Sequence, residues 1–374
     1  MRMDLAGVRY VPILAVSLAE MMALEQLPEK DKDLILPLIP IKGWGVSNKL
    51  ENSLVRIKGA INDRPWIADI DNEYLQDCRD RVVGFRRGKR DVHTEVLGLS
   101  NPENGYQKWY EFLLRIPSAI PCLQLGDLTK LSSQLDLLES LGRGIVARVK
   151  LTDFERVLPP LINELSAREE KNQFIILDFE SVDRSIMERT AAIRDMLRAI
   201  RARLPSVGLS LSGSSFPDSF SKKTYGEEPI YERRFFNSVR REVPGVPLLY
   251  SDRGGARAIK NDGGGGIPAP RIDYPLPNDW RFLRREFEDS SSIREGQKEK
   301  LYTLIAQEIM TLEYWRDDLR LWGTQVIEFT SKGDEWGIRS PGRATAVRLN
   351  IHLHQQLYYD TPDYLGDTDE EWVD

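Results

Sequence analysis

The sequence predicts an α/β protein: a (β/α)8 barrel of the TIM type, followed by a small β appendage. Three observations lead there. Short β-rich runs alternate with amphipathic helical stretches, and such alternation implies a parallel sheet. Eight runs of this kind precede a closing helix. They spread over roughly 250 residues, the length a barrel of this type takes. An open doubly wound sheet is the competing architecture; eight repeats and a closing helix favour the barrel.

The runs come in order. YVPILAV (Tyr10 to Val16) leads into the helical stretch SLAEMMALEQL, and LILPLIPI (Leu34 to Ile41) follows. WIADID (Trp66 to Asp71) comes after the short amphipathic stretch SNKLENSLVRIKGAIN. AIPCLQL (Ala119 to Leu125) follows a helix through QKWYEFLLRI, and GIVARVKL (Gly144 to Leu151) follows LTKLSSQLDLLESLG. FIILDFES (Phe174 to Ser181) follows FERVLPPLINELSAR, and VGLSLSGS (Val207 to Ser214) follows SIMERTAAIRDMLRAIRARL. VPLLYSDRG (Val246 to Gly254) is the eighth, and GQKEKLYTLIAQEIMTLEYW closes the barrel. Residues 1–322 thus read as the barrel, with long mouth loops at 72–107 and 254–280. Residues 323–374 read as an appendage of two or three strands with an acidic, frayed tail, GDTDEEWVD.

Composition narrows the function classes. The chain has 374 residues, 29% of them charged, and a formal net charge of −6. That balance disfavours a general nucleic-acid binder, which carries a basic excess. Two cysteines, Cys78 and Cys122, suit neither a disulfide scaffold nor a zinc site. The first residues lack a long apolar core and a cleavage site, so they read as a strand and not a signal peptide. No apolar run reaches the length of a membrane span. A cytoplasmic protein is the expectation.

Successive residues of a strand point to opposite faces. In FIILDFES, Ile175, Leu177 and Phe179 face the helices, which sends Phe174, Ile176, Asp178 and Glu180 inward. The same reading puts Val146, Arg148 and Lys150 inward, with Ile67, Asp69 and Asp71 beside them. Leu38, Pro40, Lys42, Cys122, Gln124, Ser210 and Ser212 follow the same rule. In the eighth run Tyr250 and Asp252 share a face. Each inward set turns polar late in its strand, at the end where barrel enzymes hold their sites. Asp178, Glu180 and Lys150 are therefore the catalytic candidates. Lys42, Asp69, Asp71, Gln124, Arg148, Ser210, Ser212, Tyr250 and Asp252 are the ligand-binding candidates. Paired carboxylates serve acid–base hydrolysis or hold a divalent metal, and the cations among them hold a phosphate or carboxylate. An ion-pair network without turnover is the plainer alternative, since buried carboxylates need partners and Lys42, Arg148 and Lys150 supply them.

Other motifs are weaker. GGGG (Gly263 to Gly266) has no Gly-Lys-Ser/Thr after it and reads as a lid, not a phosphate loop. RRGKR (Arg86 to Arg90) reads as a solvated loop. His352 and His354 are expected on one strand face, packed or solvated, with metal binding or proton transfer as the sharper option.

YVPIL, LILPLIPI, PRIDY (Pro270 to Tyr274) and the terminal GRATAVRLNIHLHQQLYY together resemble the phage-type beta protein family of bacteria and phages. In this chain a leucine separates the two terminal histidines. The resemblance implies a barrel-like fold and a mobile-element setting, and it transfers no catalytic residues. Two functions follow as expectations. One is a hydrolase acting on an anionic or phosphorylated small molecule at the barrel mouth. The other is a non-catalytic interaction protein of a phage-defence or toxin–antitoxin type module, whose appendage or 72–107 insertion binds a protein partner encoded nearby.

Overall fold

The computed structural model describes residues 3–168, 172–220, 223–258, 267–289, 293–366 and 368. Ten strands form among them: β1 (Leu38–Ile41), β2 (Trp66–Ile70), β3 (Ala119–Pro121), β4 (Ile145–Lys150), β5 (Gln173–Ser181), β6 (Gly208–Ser214), β7 (Tyr225–Pro229), β8 (Leu248–Tyr250), β9 (Arg271–Pro275) and β10 (Asp279–Arg284). The fold is α/β with parallel sheets. β1, β2 and β3 make one parallel sheet, and β4, β5, β6 and β8 make a second. β7, β10 and β9 form a separate antiparallel sheet.

The run at Tyr10 to Val16 is bonded on both sides. Leu36 and Leu38 donate their N–H groups to the carbonyls of Tyr10 and Pro12 at 3.0 and 2.8 Å. Val11 and Ile13 donate to Tyr250 and Asp252 at 3.0 and 2.8 Å. At the other edges, Leu123 donates to Val146 at 2.8 Å, beside a parallel bridge from Cys122 to Val146. Each parallel sheet is thus linked to the other at both edges.

Side-chain parity sorts the core into two parts. Ile39, Ile41, Ala68, Ile70, Ala147, Val149, Ile175, Leu177, Phe179, Leu209 and Leu211 lie in the large cluster shared with the helices. The opposite face supplies Leu38, Ile67, Ile120, Cys122, Val146, Phe174 and Ile176, which join Val11, Ile13 and Leu36 in one inner cluster. A slip of one residue would exchange the two sets, so the register is fixed by burial. The inner cluster is apolar early in the strands and ends where Arg148, Asp178 and Asp69 begin.

The C-terminal segment differs from expectation. It is helical: Trp322–Ser331 and Pro341–Leu357 replace the anticipated β appendage, and His352 and His354 share no strand face. The reason lies in the run RLNIHLHQ, where polar and apolar residues alternate as in a strand. Helix Pro341–Leu357 is enclosed by other elements, with every residue from Ala346 to Leu357 buried. In a helix a step of two residues turns about 200°, so the alternating polar positions visit different sides. Each finds its own partner: Arg348 finds Asp273, Asn350 the carbonyls of Ala23 and Gln26, His352 Asp252, and His354 Asp31. The helix start was marked by Ser340, which caps it through the Arg343 N–H at 3.2 Å, and by Pro341 in its first turn.

The stretches read as mouth loops are also more ordered. Residues 72–107 carry helices Asn72–Val82 and Asp91–Leu99 and the start of Glu103–Leu114. Residues 254–280 include β9 and the start of β10. The GGGG lid and all of the acidic tail beyond Gly366 except Thr368 lie outside the described residues. Among the described residues no helix is long and apolar enough to cross a membrane.

The face assignment has a direct test. Leu177 is fully buried on the helix side, and Glu180 is partly exposed at the strand end. Leu177→Asp should cost several kcal/mol (about 3 or more) in a denaturant titration, because a charge enters the strand–helix core. Glu180→Gln should leave the midpoint nearly unchanged; the reverse ranking would mean the faces are exchanged.

Candidate functional site

The inner faces of four strands converge at their C-terminal ends on one carboxylate. Asp178, from β5, is completely buried. Arg148, from β4, reaches its Oδ2 through Nη2 at 2.7 Å and Nε at 2.8 Å, and reaches Asp69 Oδ2, from β2, through Nη1 at 3.1 Å. Arg253, just past β8, donates to the same Asp178 oxygen at 2.8 Å. Two guanidiniums thus share one fully buried carboxylate. Burial alone would raise the Asp178 carboxyl, but Arg253, Arg148 and the Glu180 N–H outweigh it and hold the group down to about 2. Gln124 faces Asp69 Oδ1 at 3.5 Å, at the outer limit of a hydrogen bond.

Nearer the rim, Lys150 Nζ meets Glu180 Oε1 at 2.6 Å, with about a quarter of each side chain exposed: 27% and 25%. Glu180 has a φ of +58°, in the left-handed region that a residue with a Cβ adopts at an energetic cost. The register with β6 shifts at this point. The conformation is held by Lys150 and by the Glu180 N–H, which donates to Asp178 Oδ1 at 3.0 Å. Such local strain concentrates at functional positions. Lys42 pairs with Asp71 Oδ2 at 3.2 Å, while Asp71 Oδ1 caps helix Asn72–Val82 through the Tyr74 N–H.

Ser210 and Ser212 lie on the same face as Asp178, and Ser212 is its register partner. Both are buried, and neither hydroxyl has a hydrogen-bond partner among the described residues; the same holds for Ser251, beside them past β8. Three such hydroxyls next to an ion-pair cluster make this interior polar. Outside it, a cleft of about 390 Å³ runs along the ends of β5 and β6, lined by Ser181, Asp183, Ser185, Arg189 and Ser215 among others.

Tyr250 and Asp252 do not join this cluster. They lie on the opposite side of the eighth run, in a second buried network. Asp252 accepts from Tyr10, from Tyr250 at 2.9 Å, from the Gly254 N–H at 2.7 Å, and lies 2.7 Å from His352 Nε2. The Tyr10 and Tyr250 rings stack at 5.6 Å, and the Arg233 guanidinium sits 3.3 Å from the Tyr250 ring centroid. The parity of VPLLYSDRG was ambiguous because both of its faces begin apolar; Leu249, not Tyr250, joins the inner cluster. The residue at the mouth is consequently Arg253.

Glu20 is the second residue the strand pattern could not reveal. It sits in helix Leu18–Glu25, where its carboxylate accepts from the Ala15 N–H and lies 3.3 Å from Ser17 Oγ. Burial pushes its carboxyl up to about 7, against the pull of Lys42, the Ala15 N–H, Ser17 and Arg253. The signature Ser17-x-x-Glu20 was readable as a helix cap, but its closeness to the strand ends was not. Among the described residues no group of three or more His, Cys, Asp and Glu side chains converges as a metal site would. The carboxylates at the mouth face cations instead.

A family model described as Beta protein matches residues 10–358. The curated relative "Protein beta" of Enterobacteria phage P4 is 29% identical over 374 residues, covering 97% of each chain. Among solved structures, the carboxyl transferase domain of Rhizobium etli pyruvate carboxylase with 3-hydroxypyruvate aligns at 9% identity and a TM-score of 0.36, over 66% of this chain and 40% of that one. A variant of that domain with pyruvate aligns at 10% and 0.37, over 93% and 48%. Triosephosphate isomerase from Bartonella henselae aligns at 10% and 0.32, over 67% and 95%. The chain spans less than half the length of either carboxyl transferase chain.

The shared carboxylate yields a prediction. Arg253→Met leaves Asp178 with Arg148 and the Glu180 N–H and should destabilise the protein by about 1–3 kcal/mol at neutral pH. Asp178 is more acidic folded than unfolded, so its stabilisation is complete above about pH 4 and is lost as pH falls toward 2. The gap between variant and wild type, followed by denaturant midpoints, should therefore be full above pH 4 and close toward pH 2.

Proposed function

The chain belongs to the Beta protein family, and within it we propose that the strand ends form the mouth of one closed (β/α)8 barrel, where a small anionic molecule is bound and hydrolysed. Closure is supported by the bonds at Tyr10 to Ile13 and at Cys122 to Leu123, and by the inner cluster drawn from both parallel sheets. The observation that carries the hydrolytic reading is a pair of carboxyls pushed apart in acidity: Asp178 at about 2 and Glu20 at about 7, with Arg253 acting on both.

The roles divide accordingly. Asp178 stays ionised at neutral pH and fixes Arg148 and Arg253. Proton transfer falls to Glu20, which is close to half-ionised near pH 7 and so suited to general acid–base work. In hydrolysis of an ester or phosphoester, water adds across the bond. Ionised Glu20 takes a proton as the water oxygen attacks, then returns it to the departing oxygen. Lys150 and Glu180, at the rim, are the groups an incoming ligand meets. An anionic group displaces Glu180 from Lys150, and the unpartnered hydroxyls of Ser210, Ser212 and Ser251 donate to its oxygens. The adjoining cleft supplies room for the remainder of a small molecule.

A second reading, a protein-docking module, is favoured by one observation. Val83 and Phe85 are 65% and 85% exposed, beside Arg86 and Arg87 in the turn after helix Asn72–Val82. If docking is the function, Phe85→Ser abolishes capture of the neighbouring gene's product and Glu20→Gln does not.

The hydrolytic reading is tested by screening phosphorylated metabolites and carboxylic esters for thermal stabilisation and turnover. Glu20→Gln should retain ligand binding and lower turnover by about a hundredfold or more. It should also change stability without any ligand. Glu20 is less acidic folded than unfolded, so its contribution is complete below about pH 4 and is lost as pH rises through about 7. The variant should lack that loss, roughly 1–2 kcal/mol after allowing for the solvent that reaches the group. Unaltered turnover in Glu20→Gln would sink the assignment.

A further inference from the structure

A second concentration of charge lies outside the strand ends. Arg257 follows β8, Arg271 opens β9, and Arg348 lies in helix Pro341–Leu357. Their guanidinium carbons are 6.0, 5.9 and 4.0 Å from the centroid of one ring, Phe216. Arg271 also lies 3.5 Å from the centroid of Phe220. Three elements distant in sequence thus deliver three cations to one aromatic floor.

Their countercharge is incomplete. Asp273 pairs with Arg271 Nε at 2.7 Å and with Arg348 Nη1 at 2.7 Å. Arg257 donates its Nε to the Pro217 carbonyl at 2.9 Å, which supplies no charge. Asp218 attracts Arg257, yet counting both carboxylates still leaves one cation in excess among the described residues. Arg348 is buried, and its Nε has no hydrogen-bond partner among the described residues. The aromatic faces steady the cations but do not neutralise them. Arg257 and Arg271 are only half-buried, so a solute reaches them without unfolding.

We propose that Arg257, Arg271 and Arg348 form a binding site for a phosphate-class oxyanion, distinct from the strand-end mouth and independent of the hydrolytic reading. Guanidinium forks match the oxygens of such an anion, and a converging set is the recurrent way to hold one. Phe216 to Asp218 also form part of the wall of the 390 Å³ cleft. Both a free phosphate and the phosphate of a small ester have the chemistry required.

The test is calorimetric titration of the full chain with inorganic phosphate and, in parallel, with glycerol 3-phosphate, at fixed ionic strength against chloride. Wild type should bind inorganic phosphate; an ester bound at least as tightly identifies a phosphorylated molecule as the occupant, and a weaker ester identifies the free ion. Arg257→Gln should weaken binding about tenfold or more, while its melting temperature without phosphate stays level or rises as cation repulsion is relieved. Arg257→Lys, which keeps the charge but not the fork, should recover only part of the binding. Lys58→Gln, on the exposed side of helix Glu51–Ile61, should bind phosphate as wild type does. Undiminished binding in Arg257→Gln overturns the site, and so does an equal loss in Lys58→Gln, which would mark unspecific attraction to surface charge.

Discussion

The Asp178 carboxylate is the interaction on which the inner end of this fold depends. A fully buried charge is tolerated only with partners close by, and here those partners come from different strands. Arg148 ties β5 to β4 and, through Asp69, to β2; Arg253 ties β5 to the run after β8. Elements from both parallel sheets are thus linked through one guanidinium, Arg148, which meets Asp178 and Asp69. The same contacts set the chemistry, because two guanidiniums on one carboxylate make it a fixed anion. The Glu20 carboxyl, by contrast, is displaced toward neutrality by burial.

Three other buried charge systems surround this one, and helix Pro341–Leu357 touches each of them. Its His352 meets Asp252 beside the stacked tyrosines, its His354 meets Asp31, and its Arg348 meets Asp273. The Tyr358 hydroxyl, just past the helix end, donates to Asp31 as well, at 2.8 Å. Arg233 adds a contact from helix Tyr231–Glu242 to Gln356 at 2.7 Å. A helix anchored on all sides by charged and amide groups has one compatible rotation and depth, since any slip would leave several buried polar groups unpaired. The C-terminal segment is therefore integral to the N-terminal elements it packs against, helix Leu18–Glu25 among them.

The two charged regions differ in balance. At the strand ends, cations and carboxylates are close to balanced, and the unpartnered groups among the described residues are three hydroxyls and the Arg253 Nε. Around Phe216 the balance among the described residues is positive, and the Arg348 Nε is unpartnered. The first arrangement suits a ligand that exchanges into an existing ion pair; the second suits an anion that completes one.

Much of the architecture was legible in the sequence. Period-two patterning in FIILDFES and GIVARVKL placed Leu177 and Val149 against the helices and Asp178 and Arg148 opposite, because one apolar face and one polar end leave a single register. Where both faces begin apolar, as in VPLLYSDRG, parity could not be read, and Arg253 took the place assigned to Asp252. The alternation in RLNIHLHQ suggested a strand, since nothing local distinguishes a half-exposed strand from a helix whose every side meets a polar partner. Glu20 was visible as a cap, but only the packing of its helix beside Lys42 and Arg253 displaces its acidity. Local sequence thus determined which residues alternate and which are charged. The tertiary structure decided which charges meet, because ion pairing and desolvation depend on distances between segments far apart in the chain.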